Sequence, residues 1–170
     1  KSAAWALGGI DGKVGFREFS NTRKPIGEAL GITSVVEICR VTRVKTVLRQ
    51  TCTARGFEIA RIARQHDPSL PLAVEVTPHH LHLTNSLLDS VNGFAYMIPP
   101  LQTPQDCQAA VAAIADGTVN FIGSDHAPHE ETAKAGTDPW SVPGGVPGIP
   151  KADMGGHRGR WPCRGRGVGS

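Results

Sequence analysis

Asp125, His126 and His129 place an acid and two imidazoles within five positions, in the stretch GSDHAPH that directly follows an apolar run. EVTPHH, Glu75 to His80, closes another apolar run in the same way. Carboxylates and imidazoles are the side chains that move protons near neutral pH and that bind zinc-type metals. Two apolar strands that each end in His or Asp therefore predict strand tips meeting around a metal or a catalytic acid–base pair. His79 and Asp125 sit at equivalent strand ends and are the functional candidates. His66, His82 and His157 read as ordinary loop histidines.

Elements able to hold such residues alternate along the chain. Strands are expected at Val14–Phe19, Val44–Thr51, Leu72–Thr77, Gly93–Ile98 and Val119–Ser124, where β-branched and aromatic residues cluster. Helices are expected at Ile32–Thr42 and Ala54–His66, and a third follows Thr103. Thr103 can cap that helix, Pro104 suits its first turn, Asp106 completes a capping-box pattern, and Gly117 ends it. Cys107, Ala110, Val111 and Ile114 follow the spacing of one buried face. Repeated strand–helix units build parallel sheets. The expected class is α/β, a partial TIM (β/α)8-type barrel covering approximately strands four to eight with their helices, with a doubly wound sheet as runner-up. In either architecture ligands gather at the carboxyl ends of the strands, where Thr77–His80 and Ser124–His129 fall.

Composition is that of a globular domain, and no run approaches the ~20 apolar residues that a membrane span needs. Cys39, Cys52, Cys107 and Cys163 form no CxxC pair and no regular framework, which favours a reducing, cytoplasmic setting. The net charge of +3 is misleading, because residues 151–170 carry five cations against Asp153 and leave the remainder at −1. The body thus lacks a nucleic-acid footprint. The absence of an initial Met and of a signal peptide, with an opening in mid-pattern, reads as a fragment.

Several blocks together resemble one family. EVTPHHLHLT (Glu75–Thr84), IPPLQT (Ile98–Thr103), DGTVNFIGSDHAPH (Asp116–His129) and PGGVPG (Pro143–Gly148) occur in the order and spacing of the dihydroorotases, cyclic amidohydrolases of the metal-dependent amidohydrolase superfamily. TARGFE (Thr53–Glu58) looks like the segment after their fifth strand. The resemblance covers about residues 14 to 149.

The resemblance implies a TIM-like barrel that reversibly hydrolyses dihydroorotate to N-carbamoyl-aspartate in pyrimidine biosynthesis, with Zn2+ at the strand tips. His79 would be a zinc ligand, and Asp125 would both touch zinc and shuttle the proton. His129 would hold the substrate carboxylate, and the backbone at Gly144 and Gly145 would line the pocket. Zinc lowers the pKa of its bound water to ~7, and an adjacent carboxylate can pass that proton to the leaving amide nitrogen. His80 would be a structural neighbour of the ligand.

Departures from the pattern matter as much. The family's paired first-strand histidines would precede residue 1. Arg17, in GFREF, stands where relatives place a carboxylated lysine or an aspartate between two metals, and a guanidinium cannot form that carbamate. Gln50 replaces a histidine ahead of Thr53, Ile98 replaces a substrate-binding asparagine, and Gln102 replaces an arginine. Within this chain the metal site reduces to His79 and Asp125, and the isolated chain is expected to be inactive. Two alternatives arise: a catalytically degenerate scaffold subunit for aspartate carbamoyltransferase, or an allantoinase- or dihydropyrimidinase-like hydrolase. Uncovered sheet edges predict a homo-oligomer, and neither a membrane nor a nucleic acid is an expected partner.

Residues 1–150 are thus expected to form the C-terminal part of an amidohydrolase barrel. Residues 151–170 form a Gly/Arg-rich tail without periodicity, expected to be disordered. Trp161 among arginines could stack on a base, but the abrupt compositional change near residue 150 reads more simply as a frameshift or cloning artefact.

Overall fold

The computed structural model describes residues 15–148, so Val14, the expected boundary at 150 and the tail at 151–170 lie outside the described residues. Three parallel strands, β1 (Thr46–Leu48), β2 (Leu72–Val76) and β3 (Phe121–Ile122), lie in the order β1-β2-β3. Thr46 pairs with Leu72, Leu48 with Val74, Glu75 with Phe121 and Val76 with Ile122. Ahead of them come α1 (Phe16–Asn21) and α2 (Pro25–Thr42); α3 (Ala54–His66) connects β1 to β2. The β2–β3 connection holds α4 (Pro78–His82), α5 (Leu88–Val91) between two 3-10 turns, and α6 (Pro104–Ala115), and α7 (Glu131–Lys134) follows β3.

Two of the expected strands are not strands. The segment read as Val14–Phe19 forms helix α1 from Phe16, with the Gly15 amide donating to Glu18 at 2.7 Å. Phe16, Phe19 and Ser20 all face inward at helical spacing, so burial at a period of 3.6 overrides the β preference of the aromatic residues. Gly93–Ile98 begins in a 3-10 turn, Asn92–Ala95, and continues extended without a sheet partner among the described residues. Asn92 takes a left-handed φ of 47°, and a Cβ on Gly93 would collide with the carbonyl of Lys134. That close approach bends the chain where pairing would need it straight. Tyr96 and Met97 are instead buried, Tyr96 against the ring of Phe16 at 5.4 Å.

Helix α3 matches its expected bounds because both ends are written in the sequence. The Thr53 side chain accepts from the Gly56 amide at 3.0 Å, and Phe57, Ala60 and Ala63 recur on one buried face. Glu28, in the first turn of α2, adds a second cap by accepting from the Cys52 and Thr53 amides at 3.1 and 3.2 Å. Burial, reinforced by the Glu28 charge, pushes the Cys52 thiol well up, so it stays neutral.

The capping box of α6 forms as expected. Thr103 accepts from the Asp106 amide at 3.3 Å, and Asp106 accepts from the Thr103 amide at 3.2 Å. Asp106 also accepts from the Ala54 amide at 2.8 Å, so one carboxylate serves the first turns of two helices. Asp106→Ala is accordingly expected to cost more than Thr103→Ala, whose single cap is worth about 1 kcal/mol; urea unfolding of both variants checks the order. The buried face of α6 is Asp106, Cys107, Ala110 and Ala113. The expected members Val111 and Ile114 are 53% and 38% exposed, because the small Ala110 and Ala113 allow the closer helix approach.

One core lies between the sheet and α2, α3 and α6. Leu72, Val74 and Val76 point into it from one face of β2, against Phe57, Ala60, Ala110 and Ala113. A second core joins Phe16, Phe19, Tyr96, Met97, Leu101, Val142 and Val146. Val47 on β1 and Phe121 and Ile122 on β3 are exposed, which leaves apolar surface on both outer strands.

Candidate active site

Every candidate residue lies in a segment leading away from the carboxyl end of β2 or β3. Where β2 ends, Thr77 caps α4: its hydroxyl accepts from the His80 amide at 3.4 Å and lies 2.8 Å from His80 Nδ1. With Pro78 fixing the first turn, this cap presents His79 at the strand tip. His79 is 2% exposed, and its Nε2 lies 3.2 Å from the carbonyl of Pro147. A carbonyl only accepts, so Nε2 donates, and Nδ1 is buried with no hydrogen-bond partner among the described residues.

His80 is equally buried, and its Nε2 also has no hydrogen-bond partner. Burial pushes its pKa down to about 4, an effect only partly offset by the nearby carbonyls of Pro100 and Pro99 and by the charge of Asp125. Burial thus favours the neutral ring of His80, which is held by Thr77.

At the end of β3 the chain must pass close to β2. A Cβ on Gly123 would stand 2.6 Å from the carboxyl carbon of buried Glu75, so a side chain there would displace that carboxylate. Two residues later Asp125, half-buried, adopts φ 45°. A left-handed non-glycine residue at a strand tip holds strain of order 1–3 kcal/mol, a cost that clusters at functional sites. The charge of Asp125 makes a minor contribution at His80, acting against the effect of burial.

The segments 124–129 and 144–148 then lie alongside each other. The Ala127 amide donates to the Val146 carbonyl at 3.1 Å, and the Gly148 amide to His126 Nδ1 at 3.2 Å. His129 Nε2 lies 3.3 Å from the Gly144 carbonyl. Gly145 has φ 140°, and a Cβ there would sit 3.0 Å from His129 Nε2. His129, Gly144 and Gly145 are thus brought together, and a Cβ on Gly148 would lie 3.2 Å from His79 Cε1.

The departing residues also have places. Arg17 is on helix α1, in a two-pronged ion pair with Asp89, and is no strand-tip residue. Gln50 follows β1 with φ 53°, its amide donating to Glu75 at 3.3 Å. Ile98 is 47% exposed and flanks Gly144. Gln102 turns inward to donate to the Pro100 carbonyl at 2.9 Å. A cleft of about 620 Å3 opens at the end of β1 among Lys24, Arg49, Gln50, Ile98 and Gln102; neither His79 nor Asp125 lines it.

Sequence reasoning missed two buried ionisable groups, Glu75 and Lys134. Glu75 was visible as a charged residue inside an apolar strand. For Lys134 the sequence carries no signal, because its partners are three backbone carbonyls.

No family model matches the chain. Among curated proteins it is 33% identical over 134 residues to the dihydroorotase of Halobacterium salinarum, covering 79% of this chain and 30% of that protein. It is 35% identical over 126 residues to the dihydroorotase of Streptomyces coelicolor, covering 74% and 27%. The chain therefore spans less than a third of the length of these relatives. Among solved structures, a D-hydantoinase superposes with a TM-score of 0.75 at 19% identity, over 86% of this chain and 34% of that one. The dihydroorotase of Saccharomyces cerevisiae in complex with 5-fluoroorotic acid superposes with a TM-score of 0.57 at 24% identity, over 68% and 32%. These neighbours carry the same α/β fold, and the sequence matches fall on dihydroorotases: the chain belongs to the dihydroorotase family of cyclic amidohydrolases.

Proposed function

We propose that this chain carries the proton-transfer and carboxylate-binding part of a dihydroorotase-type active site, which opens dihydroorotate to N-carbamoyl-aspartate and closes it again. The placement of His79 and Asp125 in the segments that follow β2 and β3, with His129 held against Gly144 and Gly145, supports this reading. Asp125 takes the proton from the attacking water and returns it to the leaving amide nitrogen. His129, oriented by the Gly144 carbonyl at Nε2, offers Nδ1–H in its protonated form to the substrate carboxylate. Gly145 keeps the approach open, since a side chain there would press on His129.

Zn2+ is the metal that the resemblance implies, with His79 and Asp125 as two proposed ligands. The buried Nδ1 of His79, without a hydrogen-bond partner, suits that role. A catalytic zinc site takes three protein ligands and a water, and no group of three His, Cys, Asp or Glu side chains is placed to hold a metal among the described residues. The described donors do not complete a zinc site, so every step above is assigned to protein groups alone.

The same gap favours a second reading, a degenerate scaffold subunit for aspartate carbamoyltransferase, because Gln50 stands in place of a histidine and Arg17 is committed to Asp89. Exposed Ile98 beside Gly144 favours a third, a hydrolase of an uncharged ring such as allantoin or a dihydropyrimidine. We place the segment in strands four to eight of a barrel, in a reducing cytoplasmic setting; buried, unpaired Cys39, Cys52 and Cys107 fit that setting. No helix among the described residues is long and apolar enough to cross a membrane. The exposed apolar residues of β1 and β3 lead us to expect self-association, measured by sedimentation velocity across a hundredfold range of concentration.

Turnover of dihydroorotate, dihydrouracil, hydantoin and allantoin by the protein carrying this segment separates the readings. Preference for dihydroorotate is expected. Preference for an uncharged ring selects the third reading, and inertness toward all four together with co-purification of an aspartate carbamoyltransferase selects the scaffold.

A further inference from the structure

Lys134 closes α7, five residues beyond His129, yet it is 5% exposed. Its Nζ donates to three carbonyls, those of Tyr96, Pro143 and Gly145, each at 2.9 Å. An ammonium has three N–H donors, so each one is used, and no carboxylate pairs with it among the described residues. Two of the three acceptors flank Gly144, the residue whose carbonyl meets His129. The third, the Tyr96 carbonyl, also accepts from the Gly145 amide at 3.0 Å. Lys134 therefore ties the glycine loop to the 3-10 segment beneath it.

We propose that Lys134 is the positioning residue of the carboxylate pocket: its ammonium fixes Pro143–Gly145, and through them the His129–Gly144 contact. The proposal rests on the functional reading for what the loop binds, but not for what holds the loop. A neutral amine has two N–H donors, so deprotonation removes one of the three lysine–carbonyl hydrogen bonds. Burial brings the pKa of Lys134 down to about 8, which puts that loss in an accessible range. The titratable group facing the amine is Tyr96, whose ring centroid is 5.6 Å from Nζ; burial raises its own pKa, so it is uncharged in that range. Glu130 and Glu131 share the local segment with Lys134 but are exposed.

The sign of the linkage separates this role from simple stabilisation. The folded lysine gives up its proton near pH 8 and the unfolded one near its ordinary value of 10.5. Between these the unfolded chain binds more protons, so this group makes the fold more stable as pH rises. The loop is expected to loosen over the same range in which global stability does not fall.

Amide hydrogen exchange of the 170-residue chain, followed by NMR at Gly145 and Ala127 and corrected for intrinsic base catalysis, tests this directly. Wild-type exchange at both amides is expected to rise about tenfold or more as pH crosses 8, with amides of α3 unchanged, and Lys134→Met is expected to show the faster rate at every pH. Exchange at Gly145 and Ala127 that ignores both pH and Lys134→Met would overturn the proposal. The wild-type measurement needs no variant, so a misfolded Lys134→Met cannot decide the matter alone. A parallel titration with N-carbamoyl-L-aspartate tests the functional reading: a loop that loosens as expected in a chain that never binds this ligand would refute the carboxylate assignment and uphold the role of Lys134.

Discussion

Asp125→Asn is expected to lower dihydroorotate turnover by about 10² to 10⁴-fold, the span that a positioned general base contributes, with a folded protein of unchanged thermal midpoint. Asparagine is the informative replacement because it tolerates the left-handed φ of 45° that Asp125 adopts. Alanine there would add backbone strain to the loss of the carboxylate and confound the two effects. The amide keeps shape and hydrogen-bonding capacity and gives up only the ability to accept and return a proton. Steady-state turnover of the variant in the protein carrying this segment, beside its circular dichroism melt, makes the comparison. Near-normal turnover would remove Asp125 from the proton path.

Phe57→Ala is expected to cost about 3–5 kcal/mol of folding stability. Phe57 is fully buried in α3, and its core surrounds it with Val74, Val76, Ala60 and Ala110 on three elements. Deleting the ring removes its burial and leaves a cavity that a sheet backed by three helices cannot close. With urea slopes of about 1–3 kcal/mol per molar for small domains, the unfolding midpoint falls by about 1 M or more. A midpoint shift below a few tenths molar would show that the sheet–helix core is not the main source of stability.

The parts of this fold that were legible in the sequence are those whose determinants are local. The bounds of α3 are set by a Thr53 cap and an apolar period that lie side by side in the chain, and the α6 box by two residues three apart. β2 was equally clear because Leu72, Val74 and Val76 alternate without interruption. The expectation failed where long-range packing decides. Phe16 and Phe19 look like strand residues until Tyr96 supplies the aromatic surface that a helix presents them to. The same holds for Gly93–Ile98, where Gly93 packs against the carbonyl of Lys134, a residue far along the chain.

The site divides along the same line. His79 and Asp125 were proposed because a strand end followed by His or Asp is a local pattern, and they follow β2 and β3 by three residues each. The grouping of His129 with Gly144 and Gly145 came from family resemblance, and the geometry now supplies its physical basis in the 3.3 Å contact between ring and carbonyl. Glu28 and Lys134 were invisible because their partners include backbone groups, which carry no side-chain signature in the sequence.

The most direct test of the account is an NMR titration of the ¹⁵N-labelled chain with N-carbamoyl-L-aspartate. The account predicts saturable shifts centred on the amides of His129, Gly144 and Gly145, abolished by His129→Ala while signals from α3 stay in place. Shifts that are absent at millimolar ligand, or that cluster in the cleft at Lys24 and Arg49 and survive His129→Ala, would contradict it.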